Sequence, residues 1–204
     1  MKSANEKKRI GGYILMLVGV LLLAGAAMLI FNNRREEEAA QITADMAVHV
    51  LRESVIPQNS NGNTSAQINK LTTTVRQMQS VVIDEHEYIG LLEYPALGLS
   101  LPVLSGWSDD LLKVSPCRYK GSVLENNMIL AGHNYKRHFG MLAQAQLGDA
   151  VTFTGVLGDV YHFTVVELET IDGSDTSAML EGDWALTLFT CTPGGKARVT
   201  ARCA

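Results

Sequence analysis

The sequence predicts an all-β domain, a barrel or sandwich of about 120 residues, behind an N-terminal transmembrane helix and a helical stalk. Three observations predict it. Ile10 to Phe31 is an uncharged run of 22 residues. Beyond Glu36, apolar residues recur at spacings of three and four, the period of a helix with one buried face. From Val81 onward, short apolar or alternating runs are separated by glycine, proline and aspartate turn signals. The chain then divides into residues 1–9, 10–31, 32–80 and 81–204.

With 204 residues, the chain has room for about one ordinary domain plus an attachment. Apolar residues make up 47% and charged residues 19%, which excludes a disordered chain and a strongly basic nucleic-acid binder. As a helix, the run 10–31 spans roughly 33 Å, enough for the roughly 30 Å hydrocarbon layer of a bilayer. Lys2, Lys7, Lys8 and Arg9 precede it, and only Arg34 and Arg35 follow before Glu36, Glu37 and Glu38. This asymmetry orients residues 1–9 toward the cytoplasm and residues 32–204 outward, as a single-pass protein of the cell membrane. A cleaved signal peptide would have a shorter apolar core with its small-residue site just behind it. Here the candidate site, Ala24-Gly25-Ala26-Ala27, lies inside the run, so an uncleaved anchor is expected. Residues 1–9 hold four of the 17 basic and one of the 21 acidic residues, leaving the outer part at a formal −7. That charge does not recruit nucleic acid.

In the stalk, Ile42, Met46 and Val50 form one stripe of a helix that ends before Pro57. Residues 58–65 read as a polar loop. Ile68, Leu71, Val75 and Met78 mark a second helical stretch, and both helices read as scaffold that packs on something larger.

The strand candidates are Tyr88–Tyr94 before Pro95, Leu99–Leu104 before Ser105-Gly106, and Met128–Ala131. Val151–Thr154 and Tyr161–Leu168 alternate across the turn signal Gly158-Asp159, and Ala185–Cys191 and Ala197–Ala201 follow. There is no internal repeat, no phosphate-binding loop and no paired CxxC framework, so neither a cofactor nor a metal is expected.

The last two strands carry the most chemical information. A two-residue type I′ turn at Gly194-Gly195, where both positions need positive φ, places Cys191 directly opposite Arg198. Opposed residues share a face, with Cβ atoms roughly 4.5–5.5 Å apart. A fixed cation beside a thiol favours the nucleophilic thiolate, and a guanidinium can also donate to an oxyanion. A small buried cysteine beside a solvated arginine explains the same hairpin equally well. Proton transfer calls for a histidine, and there are five. His49 lies in the stalk, His86 in an acidic loop, His138 in a basic segment and His162 inside a strand. His133 follows a buried strand in Leu130-Ala-Gly-His-Asn134, at a strand end where catalytic groups are commonly mounted.

Taken together, these residues resemble the sortases, cysteine transpeptidases of the Gram-positive cell surface. The resemblance covers roughly Tyr88 to Ala204. It rests on Ile89-Gly-Leu-Leu with Leu101-Pro-Val, Ala131-Gly-His133 with Phe139 and Leu142 downstream, Gly148-Asp149, and Thr187-Leu-Phe-Thr-Cys191 with Arg198. It implies an eight-stranded sortase-type β-barrel, with Cys191 as nucleophile, His133 as general acid/base and Arg198 orienting substrate and stabilising the oxyanion. The Cys-to-Arg connection is shorter than in many members, which leaves Arg202 as a fallback, four residues beyond the position opposite Cys191.

The reaction implied is cleavage of the Thr-Gly bond in a Leu-Pro-x-Thr-Gly-like sorting signal through a thioacyl enzyme. The implied partners are surface proteins bearing a C-terminal sorting signal, a peptidoglycan amine and the lipid bilayer. A membrane-tethered cysteine hydrolase and a catalytically silent binding barrel are the alternatives. Cys117 and Cys203 read as either a disulfide or two independent buried thiols. The chain ends at Ala204 directly after the last strand, which weighs against a pilin-polymerising member; the helical stretch resembles class B and the compact barrel suits housekeeping or class D types.

Overall fold

The computed structural model describes the backbone of residues 2–55 and 77–204; in the first segment, side chains are described for 16–32, 34–35 and 44–53. Two compact units divide the chain, Met1–Ala39 and Ala40–Ala204.

The first unit is helical, part of α1 (Lys2–Val50). Its large apolar side chains from Met16 to Phe31 are exposed, Leu22 and Leu23 at 70% and 73%. Among the described residues no helix is long and apolar enough to cross a membrane, and residues 10–15 of the expected span lie outside the described side chains.

Within the second unit, the last turns of α1 run into a single π-type turn, Leu51–Val55. Their buried stripe is Ala44, Ala47 and Leu51; of the expected stripe, Met46 is exposed, Val50 is half-buried and Ile42 lies outside the described side chains. Small alanines let the helix backbone approach the sheet closely, so that Ala47 and Leu51 pack against Tyr88, Leu104, Cys117 and Val156. Arg52 fixes this docking at its edge, pairing with Glu93 and donating to Ser100 Oγ at 3.1 Å. The second expected helix, at 68–78, lies almost wholly outside the described residues.

Nine strands follow: β1 (Val81–Ile83), β2 (His86–Tyr94), β3 (Leu99–Leu104), β4 (Cys117–Lys120), β5 (Met128–Ala131), β6 (Ala150–Gly155), β7 (Val160–Asp172), β8 (Leu186–Cys191) and β9 (Ala197–Cys203). Their order is β1-β2-β3-β4-β5-β8-β9-β7-β6, and β6 pairs back onto β2. Eight strands therefore close a barrel, which removes open sheet edges, and β1 extends it as a short hairpin arm on β2. Two strands escape the sequence reading. In β1, Ile83 faces His86 across Asp84 and Glu85, both at positive φ, so His86 begins a strand instead of lying in a loop. β4 is four residues long, and Cys-Arg-Tyr-Lys lacks the apolar run that marks the equally short β5.

Inward-facing side chains fill the barrel, among them Leu92, Leu101, Val103, Leu130, Phe153, Leu186, Leu188 and Ala201. Fully burying a Leu or Phe side chain stabilises the fold by about 1.5–3 kcal/mol relative to exposure. Near the barrel end, the buried Tyr94 hydroxyl donates to Asp149 Oδ2 at 2.8 Å, and the same oxygen accepts from the Gln146 amide. Two short helices lie in the connections: α2 (Asp109–Val114), capped by Ser108, and α3 (Thr176–Leu180), capped by Asp175. α3 closes a second, smaller cluster on the barrel's outer face, where Ile129, Ile171 and Met179 pack with Tyr119 and Phe189.

Candidate active site

Strand alternation decides which side chains reach the outer face. In β8, Leu186 and Leu188 point into the core, so Thr187, Phe189 and Cys191 point outward. In β9, Ala201 and Cys203 point inward, and Arg198, Thr200 and Arg202 outward. The two strands are antiparallel with Cys191 opposite Arg198, the register expected from the glycine pair.

The turn that sets this register differs from the expected one. The Gly195 amide donates to Thr192 O at 2.8 Å, closing a turn whose central residues are Pro193 and Gly194. Proline followed by a residue at positive φ is the pattern of a type II turn, and Gly194 has φ +84°. The Thr192 hydroxyl and the Ala197 amide and carbonyl then lock the base of a four-residue loop. A two-residue and a four-residue loop centred on the same bond pair the same strand residues, so the register survives the change of turn.

Arg198 is held on this turn. Its Nη1 donates to Gly195 O at 2.9 Å and to Ala197 O at 3.1 Å, while its remaining guanidinium donors make no hydrogen bond among the described residues. Nearby, Ser174 donates to Asp172 through both hydroxyl and amide; these bonds, with Arg198 adding to them, hold the Asp172 carboxyl below the usual range.

His133 follows β5, the strand that pairs with β8 on the side away from β9. β5 runs parallel to β8 with Ala131 opposite Phe189, and the Gly132 amide extends the ladder to Phe189 O at 3.0 Å. Two residues beyond this pair stand His133 on the loop leaving β5 and Cys191 at the end of β8. A Cβ on Gly132 would sit 2.4 Å from the fully buried Phe139 ring, so only glycine lets the chain leave β5 on this path. The His133 imidazole is stacked on Tyr135, centroids 3.8 Å apart and planes 18° apart, and its Nδ1 lies 3.1 Å from Asn134 Oδ1.

Arg202 has other work. It is 2% exposed, paired through Nε with Glu169 at 2.6 Å, and donates to Met179 O, Thr187 Oγ1 and Ala178 O. Those bonds pin α3 to the sheet, and they leave the fallback arginine away from the thiol.

A groove of about 230 Å³ opens beside Cys191 and Arg198. Trp107, Tyr119 and Phe189 form one wall as successive edge-to-face pairs, at 5.5 and 5.4 Å. Asp109, Asp172 and Asp175 stand on its rim. The sequence reading did not single out these residues; the exposed Trp107 beside Gly106 was the available signal. His49 pairs with Glu53, His86 packs edge-on to Tyr88, His162 reaches Thr152, and His138 is buried; none of them lines this groove.

The other cysteines are free thiols in separate places. Cys117 packs under α1 and Cys203 in the barrel core, which rules out the disulfide. Burial pushes each thiol up to about 12. Among the described residues no group of three acidic, histidine or cysteine side chains is placed to hold a metal.

Comparison with known proteins agrees with this geometry. A sortase-domain family model matches residues 92–204. Sortase A of Listeria monocytogenes is 27% identical over 133 residues, covering 62% of this chain and 59% of the relative. The chain thus spans about three fifths of that relative's length. Sortase C1 from Streptococcus agalactiae superposes with a TM-score of 0.52 at 26% identity, over 60% of this chain and 69% of that one. A Clostridium perfringens sortase D5 transpeptidase superposes with a TM-score of 0.51 at 26% identity, over 57% and 79%. Because the family match runs from within β2 to the last residue, over more than half of the chain and both strands of the Cys191 hairpin, this chain belongs to the sortase family.

Proposed function

We propose that the protein is a membrane-anchored cysteine transpeptidase that joins surface proteins to a peptidoglycan amine. The observation that carries this reading is the pairing of Cys191 with Arg198 on the outer barrel face beside a groove; that His133 follows β5, the strand paired with β8, supports it. The uncharged run 10–31 and the exposed apolar side chains from Met16 to Phe31 support the anchor. The substrate is a C-terminal sorting signal of the Leu-Pro-x-Thr-Gly kind.

In the first step the Cys191 thiolate attacks the threonine carbonyl carbon, and the carbonyl oxygen becomes an oxyanion toward which Arg198 donates. The C–N bond breaks, the glycine nitrogen takes a proton from the His133 imidazolium, and a thioacyl enzyme remains. In the second step an amine attacks the thioester carbon and gives a proton to His133. The C–S bond breaks and the thiolate is restored. Arg198 suits its role because Nη1 is anchored to two turn carbonyls, so its other donors are aimed at little entropic cost.

The full-length protein in detergent, mixed with a labelled sorting peptide and an amine, tests this. An amine-linked peptide is the expected product, lost in Cys191→Ala. A free acid as the only product would make the protein a hydrolase, and binding without turnover a silent barrel.

A further inference from the structure

His133 is not mounted on a strand but on the loop that leaves β5, so something other than the ladder must hold its ring. That loop is closed on itself. The Phe139 amide donates to His133 O at 3.1 Å, and the His138 and Gly140 amides both donate to Tyr135 O, at 3.0 and 2.9 Å. The closure folds Tyr135 underneath His133, with the two rings nearly parallel at 3.8 Å. Tyr135 is itself buried, and behind it lies His138, centroid 5.5 Å away and 2% exposed, with neither ring nitrogen hydrogen-bonded in the structure.

A buried imidazole without hydrogen-bond partners is costly, so it is expected to be compensated by something. Its packing is what the structure offers: His133 lies flat on Tyr135, and His138 meets Tyr135 at a tilt of 51°, the most buried of three rings in contact, so that its bulk backs the ring that carries His133. His138 fits this place as an uncharged ring, since burial, with His133 adding to the effect, pushes it down to about 4.

We propose that Tyr135 and His138 are positioning residues for His133: Tyr135 is the plate against which the imidazole lies flat, and His138 is the wedge that holds the plate. The inference rests on His133 being the acid/base of the reaction proposed above. Flat stacking fixes the tilt of the imidazole and keeps both ring nitrogens at the edge, Nδ1 beside Asn134 Oδ1. A proton donor that must reach first a leaving amine and then an attacking one needs that restriction, because misplacement by about 1 Å costs on the order of 100-fold in rate.

The test uses the full-length chain with Tyr135→Leu, Tyr135→Phe, His138→Leu and His138→Phe. Leucine keeps apolar volume without a ring face, and phenylalanine keeps the face without the polar atoms. Tyr135→Leu is expected to lower kcat about 10–100-fold with KM within about twofold, and Tyr135→Phe to stay within about threefold of the parent. His138→Leu should follow Tyr135→Leu more weakly, with rescue by His138→Phe. A readout independent of turnover is the His133 Cε1–H resonance in histidine-labelled protein, assigned by its loss in His133→Gln. Ring-current shielding by Tyr135 should disappear in Tyr135→Leu and persist in Tyr135→Phe. Equal losses in the two Tyr135 variants, a loss carried by KM, or a resonance that Tyr135→Leu does not move would each overturn the inference. Parent-like turnover in His133→Gln would instead overturn the acid/base reading, while the resonance still reports on the stack.

Discussion

Arg202 donates through Nη1 to the hydroxyl of Thr187, its direct partner in the β8–β9 ladder, at 3.1 Å. Four residues earlier on the same face, Arg198 stands opposite Cys191. Two arginines of one strand thus face the same way with different duties, and the difference is measurable. Arg198→Ala should reduce kcat/KM by about 100–1,000-fold, the scale of losing an oxyanion donor, and leave the thermal midpoint nearly unchanged. Arg202→Ala removes the donor that Ala178 O, Met179 O and Thr187 Oγ1 share and so frees α3, at a cost of about 1–3 kcal/mol. Urea titrations of both variants beside their kinetics check the assignment; a stability loss in Arg198→Ala alone would reverse it.

The three thiols should react unequally. Cys191 is partly exposed, whereas Cys117 and Cys203 are buried and held up to about 12 by that burial. Thiolate is the reactive form. Iodoacetamide on the folded protein at pH 8 should give a single adduct by mass spectrometry, located on Cys191 and absent from Cys191→Ala. Rapid labelling at either of the other two positions would contradict the packing described.

Acid should destabilise the fold through His138. Its folded-state value is pushed down to about 4, against about 6.5 for an ordinary imidazole. Between those values the unfolded chain binds more protons, so this contribution is complete above about pH 6.5 and is lost as pH falls toward 4. The full effect is about 3 kcal/mol. Unfolding free energies between pH 7 and 4 should therefore fall less steeply in His138→Phe than in the parent, by about that amount at the acid end.

Trp107 should matter for binding more than for chemistry. It lines the groove and rests edge-on against Tyr119. Trp107→Ala removes an exposed aromatic wall worth about 0.5–1.5 kcal/mol per ring contact, so KM for a sorting peptide should rise several-fold with kcat held. A fall in kcat alone would place Trp107 elsewhere in the cycle.

Gly132→Ala probes how His133 leaves β5. The added methyl would meet the Phe139 ring, which is fully buried and has nowhere to go. Overpacking of this kind costs about 1–3 kcal/mol and would displace the loop that carries His133. Activity should fall well beyond what the stability loss alone explains, as read by kcat at a temperature where the variant is fully folded.

Much of this was legible in the residues themselves. Alternation and apolar runs located seven of the nine strands; β1, three residues long, and β4, whose four residues Cys-Arg-Tyr-Lys lack the apolar run that marks the equally short β5, were missed. The stripe on α1 was misplaced because hydrophobicity selects large residues, while close packing on the barrel selected Ala44 and Ala47. The hairpin register was readable from Gly194 and Gly195 even though Pro193 and Gly194 make the corner, since pairing depends on the loop's centre and not on its length.

By itself the sequence determined what local rules control: the uncharged run, the alternation that turns Cys191 outward, and the pairing of Cys191 with Arg198 across a short turn. Tertiary structure alone decided what depends on distant segments meeting. Spacing puts Arg198 and Arg202 on one face and the hairpin register sets Arg198 opposite Cys191; that Arg202 is taken up by α3 and Glu169 is decided only by the tertiary structure. The parallel pairing of β5 with β8 sets the strand that leads to His133 beside the strand that ends in Cys191, although 57 residues of chain lie between those two residues, and no local propensity encodes that. Long-range pairing is set by which apolar faces find each other in the barrel core, a property of the whole chain rather than of any stretch of it.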